Sequence, residues 1–146
     1  MTQEDKELLL KDLCARLPYG VKIETPIDCW SRDTDVCELK EIFKGDDGLF
    51  RIGDIGALLE YSKPYLFPMS SMTEEQKKEF IKVAWYEVRE EDCGRHQETY
   101  YYDLVGHENV LYPNSDAIDW LNAHHFDYRG LIEKGLAIDA TSKNIY

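Results

Sequence analysis

Pro64 and Pro68, four residues apart in KPYLFPMSS, stand just ahead of TEEQKKEFIKVA and constrain this chain more than any other feature. Proline fixes φ, lacks an amide hydrogen and pushes the residue before it away from helical angles, so 63–71 must run extended. The pattern then reverses. Thr73 and Gln76 have the spacing of a capping box, and Glu74 and Glu75 fall at the positive end of the helix dipole. Phe80, Ile81, Ala84 and Val88 trace one face of a helix reaching about Arg89. A strand-like segment feeding directly into an amphipathic helix points to a mixed α+β fold.

A second helix is expected over 3–17. Leu9, Leu10, Leu13, Cys14 and Leu17 recur at three- and four-residue steps, while Glu4, Lys11, Asp12 and Arg16 fall elsewhere. Thr2 can cap its start, and Pro18-Tyr19-Gly20 ends it. VKIET follows as a strand until Pro26. DVCELKEIF, the turn Lys44-Gly45-Asp46-Asp47-Gly48 and LFRI together predict one β-hairpin over 35–52. EEDCGRHQE reads as a charged loop, and TYYYDLV, GHEN and VLY as another hairpin. Pro113-Asn114-Ser115 precedes a short helix from about Asp116 to His124. Asp127 can cap another from Tyr128 to Lys134, stopped by Gly135. LAIDA adds an edge strand, and TSKNIY has no periodicity.

At 146 residues with 43% apolar side chains, three Trp and ten Tyr, the chain has material for one packed domain spanning 1–146. No apolar run reaches the roughly 18 residues of a membrane span, and TQEDKE at the start is no signal sequence, so a cytoplasmic, unanchored protein is expected. Cys14, Cys29, Cys37 and Cys93 are widely and irregularly spaced, which suits buried or free thiols in a reducing compartment. The net charge of -12 is concentrated. Residues 24–54 carry nine acids against four bases, and 86–112 carry seven against two. Such surfaces repel phosphate backbones and disfavour direct nucleic-acid binding; they suit a basic partner or simple solubility.

The candidate chemistry lies in AHHFDYRGLIEKG, 123–135. His124, His125 and Asp127 are the candidate metal ligands, with the distant His96 and His107 available to complete a set. Zinc needs three or four converging donors and H-E-x-x-H is absent, so the alternative of a metal-dependent hydrolase rests on that cluster alone. The competing reading is structural. Leu121 lies three residues before His124 and four before His125, so one ring extends the apolar face, and histidine suits the last turn of a helix. Ser70 and Ser71 lack a nucleophile elbow, and no phosphate-binding loop occurs. No catalytic residue and no cofactor is assigned. Tyr100, Tyr101, Tyr102 and Trp120 are candidate partner-facing aromatics, because successive strand residues point to opposite faces and Trp and Tyr anchor interfaces.

KDLCARLPYGVK (11–22), KPYLFPMSSMTEEQK (63–77) and FDYRGLIEKGLAID (126–139) together resemble a family of small proteins of Bacteroides-type gut anaerobes. Members sit in prophage and mobile-element contexts and have no assigned activity. The resemblance implies a cytoplasmic single-domain protein and carries over no catalytic residue; a phage-derived protein acting on a host protein is one form the expected function can take. The blocks leave out most of the two acidic segments, so the expectation is a shared scaffold presenting protein-specific acidic hairpins.

The expected fold is therefore α+β, with mainly antiparallel hairpins packed against two amphipathic helices and a short C-terminal helical pair. The expected function is non-enzymatic: a binding or accessory protein whose acidic hairpins meet a protein partner, an acidic mimic of nucleic acid being one form of it. A structural component of a larger assembly is the other alternative. The oligomeric state is not legible.

Overall fold

The structure, a computed structural model, describes residues 1–27, 33–53, 56–84 and 115–146. The fold is α+β, and the chain divides into two compact units: Met1–Leu66 with Arg129–Tyr146, and Phe67–Tyr128.

The first unit opens with α1, Gln3–Arg16. Thr2 and Asp5 form a reciprocal capping box, each side chain accepting the other's backbone N–H at 3.1 Å. Pro18 sits in a single 3-10 turn, Leu17–Tyr19, and Gly20 follows with φ +65°, a left-handed angle that glycine adopts without strain. Six strands come next: β1 Lys22–Pro26, β2 Thr34–Glu38, β3 Ile42–Lys44, β4 Phe50–Ile52, β5 Ala57–Leu58 and β6 Lys63–Pro68. β2, β1 and β6 make one antiparallel sheet, β3, β4 and β5 another. After the turns of 128–137, β8 (Ile138–Asp139) joins β6 in parallel, Tyr65 opposite Ile138 and Leu66 opposite Asp139. Leu9 and Leu13 of α1, Val21 and Ile23, Leu39, Ile52, Leu66 and Leu131 close one apolar core.

The hairpin expected over 35–52 is in fact two half-hairpins in different sheets. Residues 34–38 pair with β1, and only 42–44 pair with 50–52. The break falls at Leu39. Its N–H bonds the Val21 carbonyl at 2.9 Å, its side chain is buried, and the chain leaves the sheet there. DVCELKEIF shows no clean alternation because its two ends serve two sheets. The turn itself is as expected, with Gly45 N–H on Leu49 O at 2.8 Å and Gly48 at φ +81°.

In the second unit the last two residues of β6 pair in parallel with β7, Phe126–Asp127. Met69–Ser71, expected to run extended, instead form a 3-10 turn once Pro68 has ended the strand, and α2 is described over Glu74–Ala84; its expected continuation to Arg89 lies outside the described residues. The Thr73–Gln76 capping box is present, with Gln76 N–H on Thr73 Oγ1 at 3.2 Å and Thr73 N–H on Gln76 Oε1 at 2.9 Å. α3 covers Ser115–Ala123. Met69, Met72, Phe80, Ala117, Leu121 and Phe126 form the core of this unit. The expected loop and hairpin over 90–112, with His96, His107, Tyr100, Tyr101, Tyr102 and Cys93, lie outside the described residues, as does Cys29.

The second member of the C-terminal helical pair is absent. Asp127 belongs to β7, opposite Pro68, and no helix follows it; 128–135 is a chain of turns. Gly130 at φ +72° and Gly135 at φ +71° interrupt helical angles at both ends, and single turn bonds such as Lys134 N–H to Gly130 O at 3.3 Å remain.

Candidate functional site

The candidate metal ligands all lie in the second unit, where helix termination accounts for both histidines. His124 ends α3. Its Nδ1 is 2.8 Å from the Trp120 carbonyl oxygen, a contact only an N–H can make, so Nδ1 carries the proton. The ring stacks on the Trp120 indole at 3.9 Å between centroids and 21° between planes. His125 has φ +60° and is the chain's reversal point. Its N–H bonds Asn122 O at 3.1 Å, and its carbonyl accepts the Phe67 N–H at 2.9 Å, which starts the β6–β7 pairing. Asp127 is buried in β7. Among the described residues no three His, Cys, Asp or Glu side chains come together to hold a metal ion.

Trp120, expected as a partner-facing aromatic, is half-buried and packs inside the second unit. Its ring lies 5.5 Å from Phe80 and 5.9 Å from Phe126, stacked on the latter at 5° between planes. Such ring pairs contribute to packing beyond their buried area.

The acidic segment 24–54 builds an exposed surface on the first unit. In β1 and β2 the bonds from Leu39 N–H to Val21 O and from Ile27 N–H to Asp33 O show that odd-numbered residues of β2 bond to β1. The backbone groups of Thr34, Val36 and Glu38 therefore point away from β1, and among the described residues no strand pairs with that edge. The Val36 N–H is taken by the carboxylate of Asp35 at 2.8 Å. Asp33, Asp35 and Glu38 are exposed there, as are the apolar Ile27 and Val36. Glu38 pairs with Lys22 at 3.1 Å. On the β3–β4 turn Asp46, Asp47, Phe43 and Leu49 are exposed, with Asp47 paired to Arg51. A cleft of about 470 Å³ opens beside the β1–β2 hairpin, lined by Thr25, Ile27, Asp35, Cys37, Lys40 and Ile52 among others.

One group was missed by the sequence reading altogether. Asp12 and Arg16, assigned there to the polar side of α1, are fully buried, whereas Cys14, assigned to the apolar stripe, is exposed. Arg16 Nε donates to Asp12 Oδ2 at 2.7 Å and Nη2 to Oδ1 at 3.2 Å; Arg129 brings a second guanidinium, its Nε 3.4 Å from Asp12 Oδ1. The available signal was spacing: Leu9, Asp12, Leu13 and Arg16 fall on one helix face, and the i, i+4 acid–base order is favourable.

Two tyrosines of the same unit have altered chemistry. Tyr65, 4% exposed, is pushed up to about 12 by withdrawal from water and by donating its hydroxyl to Glu24 Oε2 at 2.8 Å. Tyr146 is 45% exposed, yet its hydroxyl is enclosed between strands, and that loss of water pushes it to about 12 as well. Among the described residues no helix is long and apolar enough to cross a membrane. Comparison with known protein families, with curated proteins and with solved structures gives no match to this chain.

Proposed function

We propose that this chain is a non-enzymatic protein-binding module that uses the outer edge of β2 and the neighbouring acidic turns to take up an extended, basic segment of another protein. The observation that carries the reading is the β2 edge. It presents outward-pointing backbone groups, exposed Ile27 and Val36, the carboxylates of Asp33 and Asp35, and Glu38 paired to Lys22. Strand addition supplies main-chain hydrogen bonds, and the charge selects a basic partner. The Asp35–Val36 bond is local and gives way when an incoming carbonyl takes the N–H. A phage-derived accessory protein acting on a host protein fits this description.

The test is titration with a short alternating lysine–valine peptide at low and high salt, read by calorimetry and by amide shifts. Binding should weaken as salt rises, shift the β2 amides, and fall roughly tenfold in an Asp33→Lys/Asp35→Lys variant. Affinity that ignores both salt and the substitutions would remove the reading.

A further inference from the structure

The β1–β6 ladder stops one step early, and a side chain fills the missing step. Paired residues are Glu24 with Lys63 and Ile23 with Pro64, so the next pair is Lys22 with Tyr65. Odd-numbered residues of β1 bond to β2, so the backbone groups of Lys22 face β6. In an antiparallel ladder the Lys22 N–H would then reach the Tyr65 carbonyl directly, at roughly 2.9 Å. Instead it donates to the hydroxyl of Tyr146 at 3.0 Å, and that hydroxyl donates onward to Tyr65 O at 2.8 Å. A phenol from the stretch after β8 stands where a backbone bond belongs.

We propose that Tyr146 is a latch which holds the base of the β1–β2 hairpin apart from β6, and that its withdrawal lets Lys22 and Tyr65 bond directly and so regulates partner binding at β2. The regulatory half rests on the function proposed above; the latch itself does not. Both arrangements satisfy the same two backbone groups, once through a relay and once directly, which is what a two-state element requires. The chain has a hinge for the movement at Gly20, whose left-handed φ of +65° precedes β1. It also has a lever. Lys22 is ion-paired to Glu38, and a Cβ at Gly20 would lie 3.3 Å from the Glu38 carboxyl carbon, so the start of β1 and the end of β2 move as one. The holding stretch is largely exposed. Residues 141–144 are exposed, and Lys143 N–H to Ala140 O at 3.0 Å and Ile145 N–H to Lys143 O at 2.9 Å are local turn bonds. With the latch out, the lengthened ladder holds β1 and β2 in place, and a strand edge fixed beforehand binds more tightly.

Tyr146→Phe tests this, because it removes the hydroxyl and keeps the ring. Scalar coupling across a hydrogen bond, from the Lys22 amide nitrogen to the Tyr65 carbonyl carbon, reads the direct bond in the protein alone. The expected result is no coupling in the parent and a measurable coupling in Tyr146→Phe. Coupling already present in the parent, or absent from both proteins, overturns the latch. The lysine–valine peptide should bind the variant about fivefold more tightly, at the low end of ordinary coupling between sites. Equal affinity for both proteins overturns the regulatory half. A peptide that binds neither overturns the proposed function, and with it the regulation, while the coupling measurement still decides the latch.

Discussion

Asp12 and Arg16 stand one helical turn apart on α1 with both side chains fully enclosed and joined by two hydrogen bonds. A second guanidinium, from Arg129, approaches the same carboxylate. These groups bring a segment 117 residues further along the chain, which the turns of 128–137 carry, against the first helix. A buried ion pair contributes little net stability against an apolar substitute, because desolvation offsets attraction. Its consequence is registry: a helix that buries Asp12 and Arg16 has one rotation at which both are satisfied.

The first prediction follows from that asymmetry. Asp12→Ala takes the carboxylate away from the buried Arg16 and the part-buried Arg129 and should cost about 3–5 kcal/mol. Asp12→Leu with Arg16→Met removes both fully buried charges, leaving only the part-exposed Arg129, and should cost clearly less than Asp12→Ala alone. Urea unfolding of the three proteins measures this. A double variant as unstable as the single one would show that geometry, not unpaired charge, sets the cost.

The second prediction concerns α2. Thr73→Ala removes the hydroxyl that accepts the Gln76 N–H and opens the capping box, for a loss of about 1 kcal/mol. Thr73→Ser keeps the acceptor and should be nearly neutral. Thermal unfolding followed by circular dichroism distinguishes the two, and equal losses would mean that the methyl group, not the cap, matters.

The same cap shows why part of this fold was legible. Prolines at 64 and 68, the Thr73–Gln76 box and the Pro18–Gly20 stop act within a few residues, so local chemistry decides them and the sequence reading meets the structure over 63–68, at the box and at the stop, though not over 69–71. DVCELKEIF failed because its ends belong to different sheets, and no local pattern reports which strand is the partner. Tyr128 to Lys134 has the composition of a capped helix, yet the pairing of Phe126 and Asp127 with β6 and the left-handed Gly130 override it. The bridging Tyr146 and the Arg129 side of the Asp12 cluster were illegible for one reason. Tyr146 is satisfied by Lys22, and the second guanidinium on Asp12 comes from Arg129, each more than a hundred positions away; the Asp12–Arg16 spacing alone was local.

The third prediction is a loss of stability at high pH. Tyr65 has its hydroxyl pushed from about 10 to about 12 in the folded protein, so the fold favours the protonated phenol. A raised folded value means the contribution is complete below pH 10 and is lost as pH rises through about 12, where the unfolded chain ionises first. For this nearly buried group the loss amounts to roughly 2 kcal/mol. Urea midpoints measured upward from pH 8 should fall above pH 10, and Tyr65→Phe should flatten much of that fall. Tyr146, raised in the same direction, should leave a residual slope in Tyr65→Phe. An unchanged slope in that variant would remove Tyr65 as the cause.

The last prediction separates the two histidines. His125 holds φ +60°, where a side chain costs on the order of 1 kcal/mol and a β-branched one more. His125→Gly should therefore be close to neutral, because relief of strain offsets the entropy of a glycine in the unfolded chain, while His125→Val should destabilise clearly. His124 works differently. Its ring supplies a hydrogen bond to the Trp120 carbonyl and a stacked face on the indole, so His124→Ala should cost about 1–2 kcal/mol and alter the tryptophan environment. Unfolding followed by fluorescence reads both effects at once. If His125→Gly proved as damaging as His125→Val, the histidine side chain itself would be essential, and a structural turn would no longer account for the residue.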